Sequence, residues 1–314
     1  MFRFICLSFA FAALHHPLQA QWYKGNTHTH SLWSDGNDFP EMITKWYKDQ
    51  GYDFLAISDH NTIHEGERWH TEAAIRKRQK ALGLTAIDKY RKTFGEEWVE
   101  SRTNADGQPE IRLRRLEEYR GKFEVPGKFL IVQAEEISAE FEKAPIHMNA
   151  VNLGEAIQPL KGDSYAEVMR ANLRAVAEQE TRLGRPMFVH LNHPNFRWAL
   201  TPEIIAEVVE ERFFEIYNGH PAINYEGDEF RPSHEQIWDI VNTLRISKMK
   251  AAPLYGVGTD DSHHYHGEES SPGRGFVMVR ADQLTADALV EAMKKGDFYA
   301  SSGVILEDVR LEDG

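Results

Sequence analysis

The sequence has few cysteines, no long hydrophobic run and no excess of positive charge. A single cysteine among 314 residues excludes a disulfide framework within the chain. The formal net charge of −13 argues against DNA or RNA as the main partner, because phosphate-backbone binding needs a basic face. The one prominent apolar stretch lies near the N-terminus and is too short to span a bilayer. With 41% hydrophobic and 27% charged residues, the chain can still bury a sizeable core.

The first twenty residues have the order of regions that is typical of a secretory signal peptide. A positive start at Arg3 is followed by an uncharged apolar stretch over 4–14 and by a cleavage motif that ends at Ala20. We therefore predict a signal peptide over 1–20, one domain over 21–314, and an exported protein, periplasmic or secreted. Cleavage would also remove Cys6, so any metal ion would be held by histidines and carboxylates.

Beyond residue 20, short β-branched or aromatic segments alternate with helical patterns. This alternation predicts an α/β fold with a mostly parallel sheet, open or closed into a barrel. Residues 61–128 interrupt the rhythm, are charged, and predict a largely helical insertion over the mouth of the barrel, with helices at 68–81, 87–101 and 111–120. The other predicted strands are 52–57, 129–133, 147–153, 187–191, 213–217, 255–258 and 276–280, and the other predicted helices are 41–50, 165–183, 233–244, 285–295 and one that begins at Thr201-Pro202.

Histidines and carboxylates follow several of these strands. In an extended segment, residues i and i+2 project to the same side, so His28 and His30 can reach one ion. This pair alone is a weak signal in a chain with 15 histidines. In a β/α barrel, however, the carboxyl ends of the strands meet at one face, where sites are built. The coincidence predicts a site at that face, and the segments concerned are 34–36, 58–61, 134–138, 147, 190–194 and 258–264.

In order along the chain, these segments resemble the motifs of the PHP superfamily, the polymerase and histidinol phosphatase family of metal-dependent phosphoesterases. The resemblance runs from about residue 22 to about residue 303 and implies a distorted (β/α)7 barrel with two or three divalent metal ions. The motifs are His28-Thr-His30, Ser34-Asp35-Gly36, Ser58-Asp59-His60-Asn61, Glu136-Ile137-Ser138, His147, His193-Pro194 and Gly258-Thr-Asp-Asp261-Ser-His263.

The resemblance also implies a set of metal ligands. It assigns His28, His30 and Asp261 to a first ion, Glu136 to the bridge with a second, His147 and His193 to the second, and Asp35, His60 and His263 to a third. At two places, two adjacent carboxylates leave the choice of ligand open when the residues alone are considered. The family spacing selects Glu136 over Glu135, and it selects Asp261 over Asp260.

Imidazole and carboxylate ligands suit Zn, Mn or Fe. Two such ions can share a hydroxide that is nucleophilic near neutral pH, and they neutralise the oxygens of a transferring phosphoryl group. We predict that an arginine binds the remaining phosphoryl oxygens, with Arg197 as the first candidate and Arg274 as the second. The competing interpretation of Arg197 is a surface cation stacked on Phe196 or Trp198.

The leading hypothesis is thus a metal-dependent hydrolase of phosphate esters (EC 3.1) that acts on a small molecule. The first alternative is an amidohydrolase-type enzyme acting on a non-phosphate bond. Such enzymes also begin with His-x-His and end with Asp after a barrel strand, but they often use a carboxylated lysine at a middle strand. The second alternative is a metal-binding protein of PHP type without enzymatic activity, which would be expected to have lost some of the ligands.

Overall fold

The computed structural model describes residues 20–79, 83–307 and 309. Its strands are β1 (Gln21–Asn26), β2 (Phe54–Ile57), β3 (Arg68–Thr71), β4 (Ser101–Thr103), β5 (Pro109–Leu113), β6 (Leu130–Phe141), β7 (Ala144–Val151), β8 (Phe188–Leu191), β9 (Phe213–Asn218), β10 (Tyr255–Thr259), β11 (Phe276–Ala281) and β12 (Phe298–Ser301). Its α-helices are α1 (Pro40–Asp49), α2 (Glu72–Arg78), α3 (Ala86–Phe94), α4 (Leu116–Phe123), α5 (Tyr165–Leu183), α6 (Pro202–Glu207), α7 (His234–Thr243) and α8 (Ala286–Lys295). The predicted signal peptide falls on residues 1–19 and Ala20, of which only Ala20 is described.

Among the described residues, seven strands form a ring in the order β1, β2, β6, β7, β8, β9 and β10. The ring closes just beyond the ends of β1 and β10, where Thr29 pairs in parallel with Ser262. Asp261 N donates to His28 O at 2.9 Å, and His30 N donates to Ser262 O at 2.9 Å. The strands β11 and β12 continue the sheet beyond β1, and both also contact β10. The predicted distorted seven-stranded α/β barrel is therefore confirmed.

The direction of β7 departs from the sequence prediction. The strand β6 continues to Phe141, turns at Glu142 and Lys143, and pairs antiparallel with β7, which in turn pairs antiparallel with β8. Both turn residues have positive φ, 49° and 69°, as in a tight hairpin. The turn lacks the Asn-Gly type of signal that usually marks a hairpin, so the hairpin was not predictable from local turn residues.

Side chains alternate between the inside and the outside of the ring. On β2, Phe54 and Ala56 belong to the apolar cluster inside the barrel that α8 closes, whereas Leu55 and Ile57 pack outward with α1 and α4. The face of β6 that carries Val132 also belongs to the inner cluster. Apolar side chains thus fill one end of the barrel interior, and polar groups occupy the other end.

Helices α5, α6 and α7 cover one outer side of the ring. Val168, Met169 and Val176 of α5 are buried in the same apolar cluster as Met148 of β7 and Val189 of β8. Val168 and Val176 lie on the apolar stripe that the helical pattern over 165–183 predicts, whereas Leu183, also predicted on it, is 39% exposed. Across the described residues, no helix has both the length and the apolar character needed to cross a bilayer.

A fully buried arginine joins α6 to the end of α7. Arg245 lies in a π-helical turn, Leu244–Met249, that continues α7. Its guanidinium donates to the carbonyl oxygens of Ile205 at 2.9 Å, Val208 at 2.7 Å and Glu211 at 2.6 Å. These carbonyls lie at and after the C-terminal end of α6, where helical oxygens have no partner of their own.

The insertion is only partly helical. The predicted helix over 68–81 begins instead as β3, the predicted helix over 87–101 ends at Phe94, and β3, β5 and β4 form a small antiparallel sheet. A β-hairpin with Gly107 in its turn replaces the predicted start of the last helix. The charged residues that suggested a helical surface instead form cross-strand pairs such as Arg102–Glu110 at 2.8 Å.

Candidate metal centre

The alternation of side chains along β6 decides which of two adjacent glutamates faces the site. Val132 and Ala134 point into the barrel, and Glu136, two residues further along, shares their face. Glu135 points to the opposite face, where its Oε1 accepts a hydrogen bond from Ile157 N at 2.5 Å. The choice that the sequence left open between these carboxylates is therefore settled geometrically by the two-residue period of the strand.

The loop after β1 brings two imidazoles to the same point. His28 Nε2 and His30 Nε2 lie 3.1 Å apart. Asp261 Oδ1 lies 3.3 Å from each of them, and Glu136 lies 3.5 Å from each. All four side chains are buried, so this is a dry, convergent set of potential ligand atoms.

A second pair of imidazoles approaches Glu136 from β7 and from the loop after β8. His147 Nδ1 lies 3.1 Å from Glu136 Oε1, and His193 Nε2 lies 3.3 Å from the same oxygen. Glu136 therefore stands between this pair and the pair formed by His28 and His30. Asp261 also reaches both pairs, but its contact with His193 Nε2 is longer, at 4.0 Å. Glu136 has the shorter contacts to the second pair, which is the arrangement that a bridging ligand requires.

A third group of side chains lies further out and includes His30. Asp35 Oδ2 lies 3.5 Å from His60 Nε2, while Asp35 Oδ1 lies 3.4 Å from His263 Nε2 and 3.7 Å from His30 Nδ1. The ligand atoms of these four residues all lie within 4.8 Å of one another. We call His30, Asp35, His60 and His263 the outer group.

All nine residues that the resemblance implies as ligands thus come together, and we call them the His/carboxylate cluster. Two ligand atoms bound to one tetrahedral Zn²⁺ at about 2.1 Å lie about 3.4 Å apart. The contacts between His28, His30 and Asp261, at 3.1–3.3 Å, are close to that separation. The donor set, with imidazole nitrogens and carboxylate oxygens facing one another, fits divalent ions of the Zn, Mn or Fe type.

Hydrogen bonds behind the cluster orient two of its imidazoles. His28 Nδ1 donates to the buried Glu215 carboxylate at 2.5 Å, and His263 Nδ1 donates to the Asp261 backbone oxygen at 3.0 Å. When each ring is neutral, its Nε2 keeps the lone pair and points into the cluster. This is the arrangement in which a second residue fixes the tautomer of a metal-binding histidine. Glu215 also accepts from His193 N at 2.8 Å and from Thr259 Oγ1 at 2.7 Å.

The charges within the cluster favour ionised carboxylates. Burial opposes ionisation of Glu136, but the nearby imidazoles of His60 and His147 hold its pKa well below its usual range. The imidazoles around Asp35 and Asp261 likewise lower the pKa of each carboxyl. Burial and the neighbouring His263 ring lower the pKa of His30 to about 4, which leaves that imidazole neutral near pH 7. Although burial opposes it, the facing carboxylates raise the pKa of His28, His60, His193 and His263. Because metal ions bind ionised carboxylates and neutral imidazoles, an ion would displace protons from these rings.

Backbone strain is concentrated at two of these residues. His193 has φ of 24° and Asp261 has φ of 47°, both in a region that L-residues rarely adopt. Each such residue costs about 1–3 kcal/mol, and strained residues cluster at functional sites. The backbone at these positions is therefore held by its surroundings in the conformation that turns the side chains into the cluster.

The neighbour of Asp261 has a different role. Asp260 is buried on the opposite side of the strand end, where it accepts hydrogen bonds from the backbone N of Gly273 at 2.9 Å, Arg274 at 2.6 Å and Gly275 at 2.8 Å. Tyr47 OH donates to it at 2.6 Å. Asp260 therefore holds a loop in place, and Asp261 is the carboxylate that faces the cluster.

The two predicted arginines lie beside the cluster and not within it. Arg197 is exposed, with φ of 53°, and its guanidinium lies 5.2 Å from the centre of the Phe196 ring. That ring in turn packs edge-on against His193, with centroids 5.4 Å apart. Arg274 is half-buried, and its Nη1 donates to Gly219 O at 3.2 Å. The cation–π stacking that was the competing interpretation of Arg197 is present, and it places this guanidinium at the rim of the cluster.

His220 is a site residue that the sequence analysis missed. Its ring lies 5.0 Å from that of His263, and Ala222 N donates to its Nδ1 at 3.1 Å. The neutral ring therefore carries its proton on Nε2. Burial, with a further contribution from His263, lowers its pKa to about 4. The signal for His220 was present in the segment Tyr217-Asn-Gly-His220, which follows the predicted strand over 213–217.

No protein-family model and no curated protein match the chain. The solved structures with a distant likeness include two bacterial proteins. One is a two-domain protein from Bacteroides vulgatus ATCC 8482 that contains a predicted PHP-like metal-dependent phosphoesterase, with 17% identity over 90% of this chain and a TM-score of 0.49. This chain spans 65% of the length of that protein. The other is PsfC from Pseudomonas syringae PB-5123, with 12% identity, coverage of 87% of both chains and a TM-score of 0.43.

The description of the Bacteroides protein names the family whose motifs this sequence resembles. At these identities and TM-scores, the function proposed below rests on the geometry of the His/carboxylate cluster and not on the likeness.

Proposed function

We propose that the protein is an exported metal-dependent phosphoesterase that hydrolyses a small-molecule phosphate ester. The observation that carries the proposal is the position of Glu136, a buried carboxylate within 3.5 Å of imidazoles from two separate pairs. His28, His30 and Asp261 would hold one divalent ion with Glu136, and His147 and His193 would hold the second. When bound, such ions lower the pKa of coordinated water and neutralise the oxygens of a phosphoryl group.

The residues around the cluster supply what phosphate recognition requires. An anion over the cluster would be approached by the guanidinium of Arg197, which Phe196 holds at the rim. On another side, the Nε2 proton of His220 is available as a donor because Nδ1 already accepts a hydrogen bond. Arg274 stands behind the same loop, fixed on Gly219 O. Cationic and donor groups around a metal-binding face favour a phosphoryl anion over a neutral amide.

The bridging position also separates this proposal from the amidohydrolase alternative. That class often has a carboxylated lysine at a middle strand, whereas here the middle strand β6 presents Glu136. A non-enzymatic metal-binding protein would be expected to lack some of the ligands, and all nine positions of the His/carboxylate cluster are filled.

The test is elemental analysis of the protein as purified, followed by a panel of phosphate monoesters and diesters. We expect two or three divalent ions per chain and hydrolysis of at least one ester, which chelation abolishes and the metal restores. Protein that is fully loaded with metal and hydrolyses amides but no phosphate ester would favour the amidohydrolase alternative.

Arg197→Ala is expected to keep its metal ions and to lose about 2–4 kcal/mol of transition-state stabilisation on the best phosphate ester, as for removal of one charge-stabilising donor. The measurement is kcat/KM together with metal content. The matched control is Arg231→Ala, because Arg231 also stacks on a rim aromatic, Trp198, but is paired with Asp228 at 2.7 Å. An unchanged kcat/KM in Arg197→Ala would exclude this role and direct attention to Arg274.

Export is part of the proposal and rests on the N-terminal sequence. We expect the mature protein to begin near Gln21, because the positive, apolar and cleavage regions precede that residue in the order that signal peptidases recognise. Intact-mass measurement of the protein from its native cells checks this. Soluble cytoplasmic protein that retains Met1 would contradict it.

A further inference from the structure

Asp35 is the most exposed member of the His/carboxylate cluster. Its side chain is 56% exposed, whereas those of its partners His60 and His263 are 27% and 15% exposed. It lies on a turn outside the regular strands. An exposed side chain on a turn keeps much of its conformational freedom, and fixing it for a ligand costs entropy. Another part of the molecule must therefore hold this turn if Asp35 is to serve as a ligand.

The insertion supplies that support through Arg78, the last residue of α2. Arg78 Nη1 donates to Ser34 O at 2.6 Å and to Gly36 O at 3.0 Å. The two carbonyls belong to the residues on either side of Asp35. One guanidinium thus fixes the backbone before and after the carboxylate, while the positive charge of Arg78 attracts the carboxylate itself.

The same insertion also fixes the residue before this turn. Trp33 O accepts a hydrogen bond from Arg68 of β3, and the guanidinium of Arg68 lies 5.0 Å from the centre of the Trp33 ring. Trp33 Nε1 donates to Arg114 O at 3.2 Å. The turn is therefore held at both ends by side chains from the segment that interrupts the barrel.

The helix that carries Arg78 is itself anchored. Thr71 caps its N-terminus by accepting from Ala74 N at 3.1 Å. Ile75, one turn before Arg78, is fully buried in an apolar cluster with Leu32 and Trp33. Because α2 is fixed to the residues just before the turn, a shift of the insertion would carry Arg78 and move Asp35.

We propose that Arg78 is a positioning residue through which the insertion sets the affinity of the outer group for a divalent cation. Arg78 holds Asp35 at the correct distance from His60 and His263 without itself touching the ion. The inference rests on the proposed metal centre and assigns a role to the insertion that the barrel alone does not explain.

The test is metal affinity and does not depend on catalysis. The full chain is freed of metal with a chelator and titrated with Zn²⁺ against a competing chelator, and the bound ions are counted by elemental analysis. In Arg78→Met, we expect one site to bind about 10–100-fold more weakly, as for loss of a residue that orients a ligand, and the other sites to be unchanged. Asp35→Asn should weaken the same site. Arg78→Lys should be intermediate, because one ammonium cannot reproduce the fixed geometry of a guanidinium.

The matched control is Arg76→Met. Arg76 lies on the same helix, but it donates to Thr85 Oγ1 at 3.0 Å and pairs with Glu72 at 3.5 Å, away from the turn. We expect parental affinities at every site in this variant. If Arg78→Met does not fold, Arg68→Met tests the other end of the turn and is expected to weaken the same site.

Equal affinities in the parent, Arg78→Met and Arg68→Met would overturn the inference, and so would an equal weakening of every site. Metal-loaded parent protein without phosphoesterase activity would reject the proposed function and leave this inference standing. A parent protein that binds no ion at the outer group would overturn the inference even if the two inner sites are filled and active.

Discussion

Glu136→Gln is expected to lose at least one metal ion and to lower kcat/KM on the best phosphate ester by at least about 10³-fold, because each ion supplies several kcal/mol of charge stabilisation in the transition state. The physical reason is the position of this carboxylate. It lies within 3.5 Å of one nitrogen in each imidazole of the two pairs, His28 with His30 and His147 with His193. A neutral amide at this position removes the negative charge that these imidazoles share. Metal content is measured by elemental analysis and activity with the ester panel.

The chain offers a closely matched control in Glu135→Gln. Glu135 is equally buried one residue earlier, but it faces away from the cluster, and burial raises its pKa to about 8. It is therefore largely protonated at pH 7, and glutamine imitates that form. We expect parental metal content and activity in this variant. Full metal content with full activity in Glu136→Gln would reject Glu136 as the bridge.

The second large effect is on stability and lies far from the cluster. Arg245→Met is expected to lower the free energy of unfolding by about 3 kcal/mol or more, because the buried carbonyl oxygens of Ile205 and Glu211 would lose their donor and that of Val208 one of its two. Methionine keeps much of the length and the apolar stem of arginine, so the loss of hydrogen bonds dominates over loss of volume. Urea denaturation at neutral pH, followed by tryptophan fluorescence, gives the difference.

Arg212→Met is the control for Arg245→Met. Arg212 is only half-buried and donates to a single carbonyl, that of Pro253, at 3.2 Å. Its loss is expected to change the free energy of unfolding by less than about 1 kcal/mol. If both variants unfolded within about 1 kcal/mol of the parent, the three carbonyls at and after the end of α6 would not depend on Arg245, and the role given to it would be wrong.

The barrel was predictable because its strands and helices carry strong local signals. The helix predicted over 165–183 is observed as Tyr165–Leu183, with a serine cap at Ser164 and Gly184 after its last turn. The strand predicted over 213–217 is observed as Phe213–Asn218. Apolar periodicity and capping residues act over a few neighbouring positions, so a single sequence reveals them.

The predicted cluster also depended on a pattern that a sequence can carry. Nine residue positions matched a set of family motifs, and the structure brings them together. The reason for their convergence was only partly right, because Glu136 and His147 lie within the hairpin of β6 and β7 and not at strand ends. The hairpin turn, formed by Glu142 and Lys143, has ordinary surface residues where a turn signal is expected.

The contacts that support the cluster were beyond the reach of the sequence. Glu215 orients His28 from 187 residues away, and Arg78 reaches the turn at Asp35 from an insertion whose strands were predicted as helix. Neither residue stands out by type or by spacing. Their roles depend on tertiary contacts, which local propensity and periodicity do not encode.

The ring of strands closes between the ends of β1 and β10, a place that we call the seam, and this closure affects how the molecule is held together. The backbone pairs at this seam join residues 28–30 to residues 261–262, so the two ends of the barrel sequence meet beside the cluster. His28 and His30 stand on one side of the seam and Asp261 on the other. Closing a loop of that length costs chain entropy, and an ion bound to all three would fasten it. In a chain with a single cysteine, such an ion would be the crosslink that a disulfide supplies in other proteins.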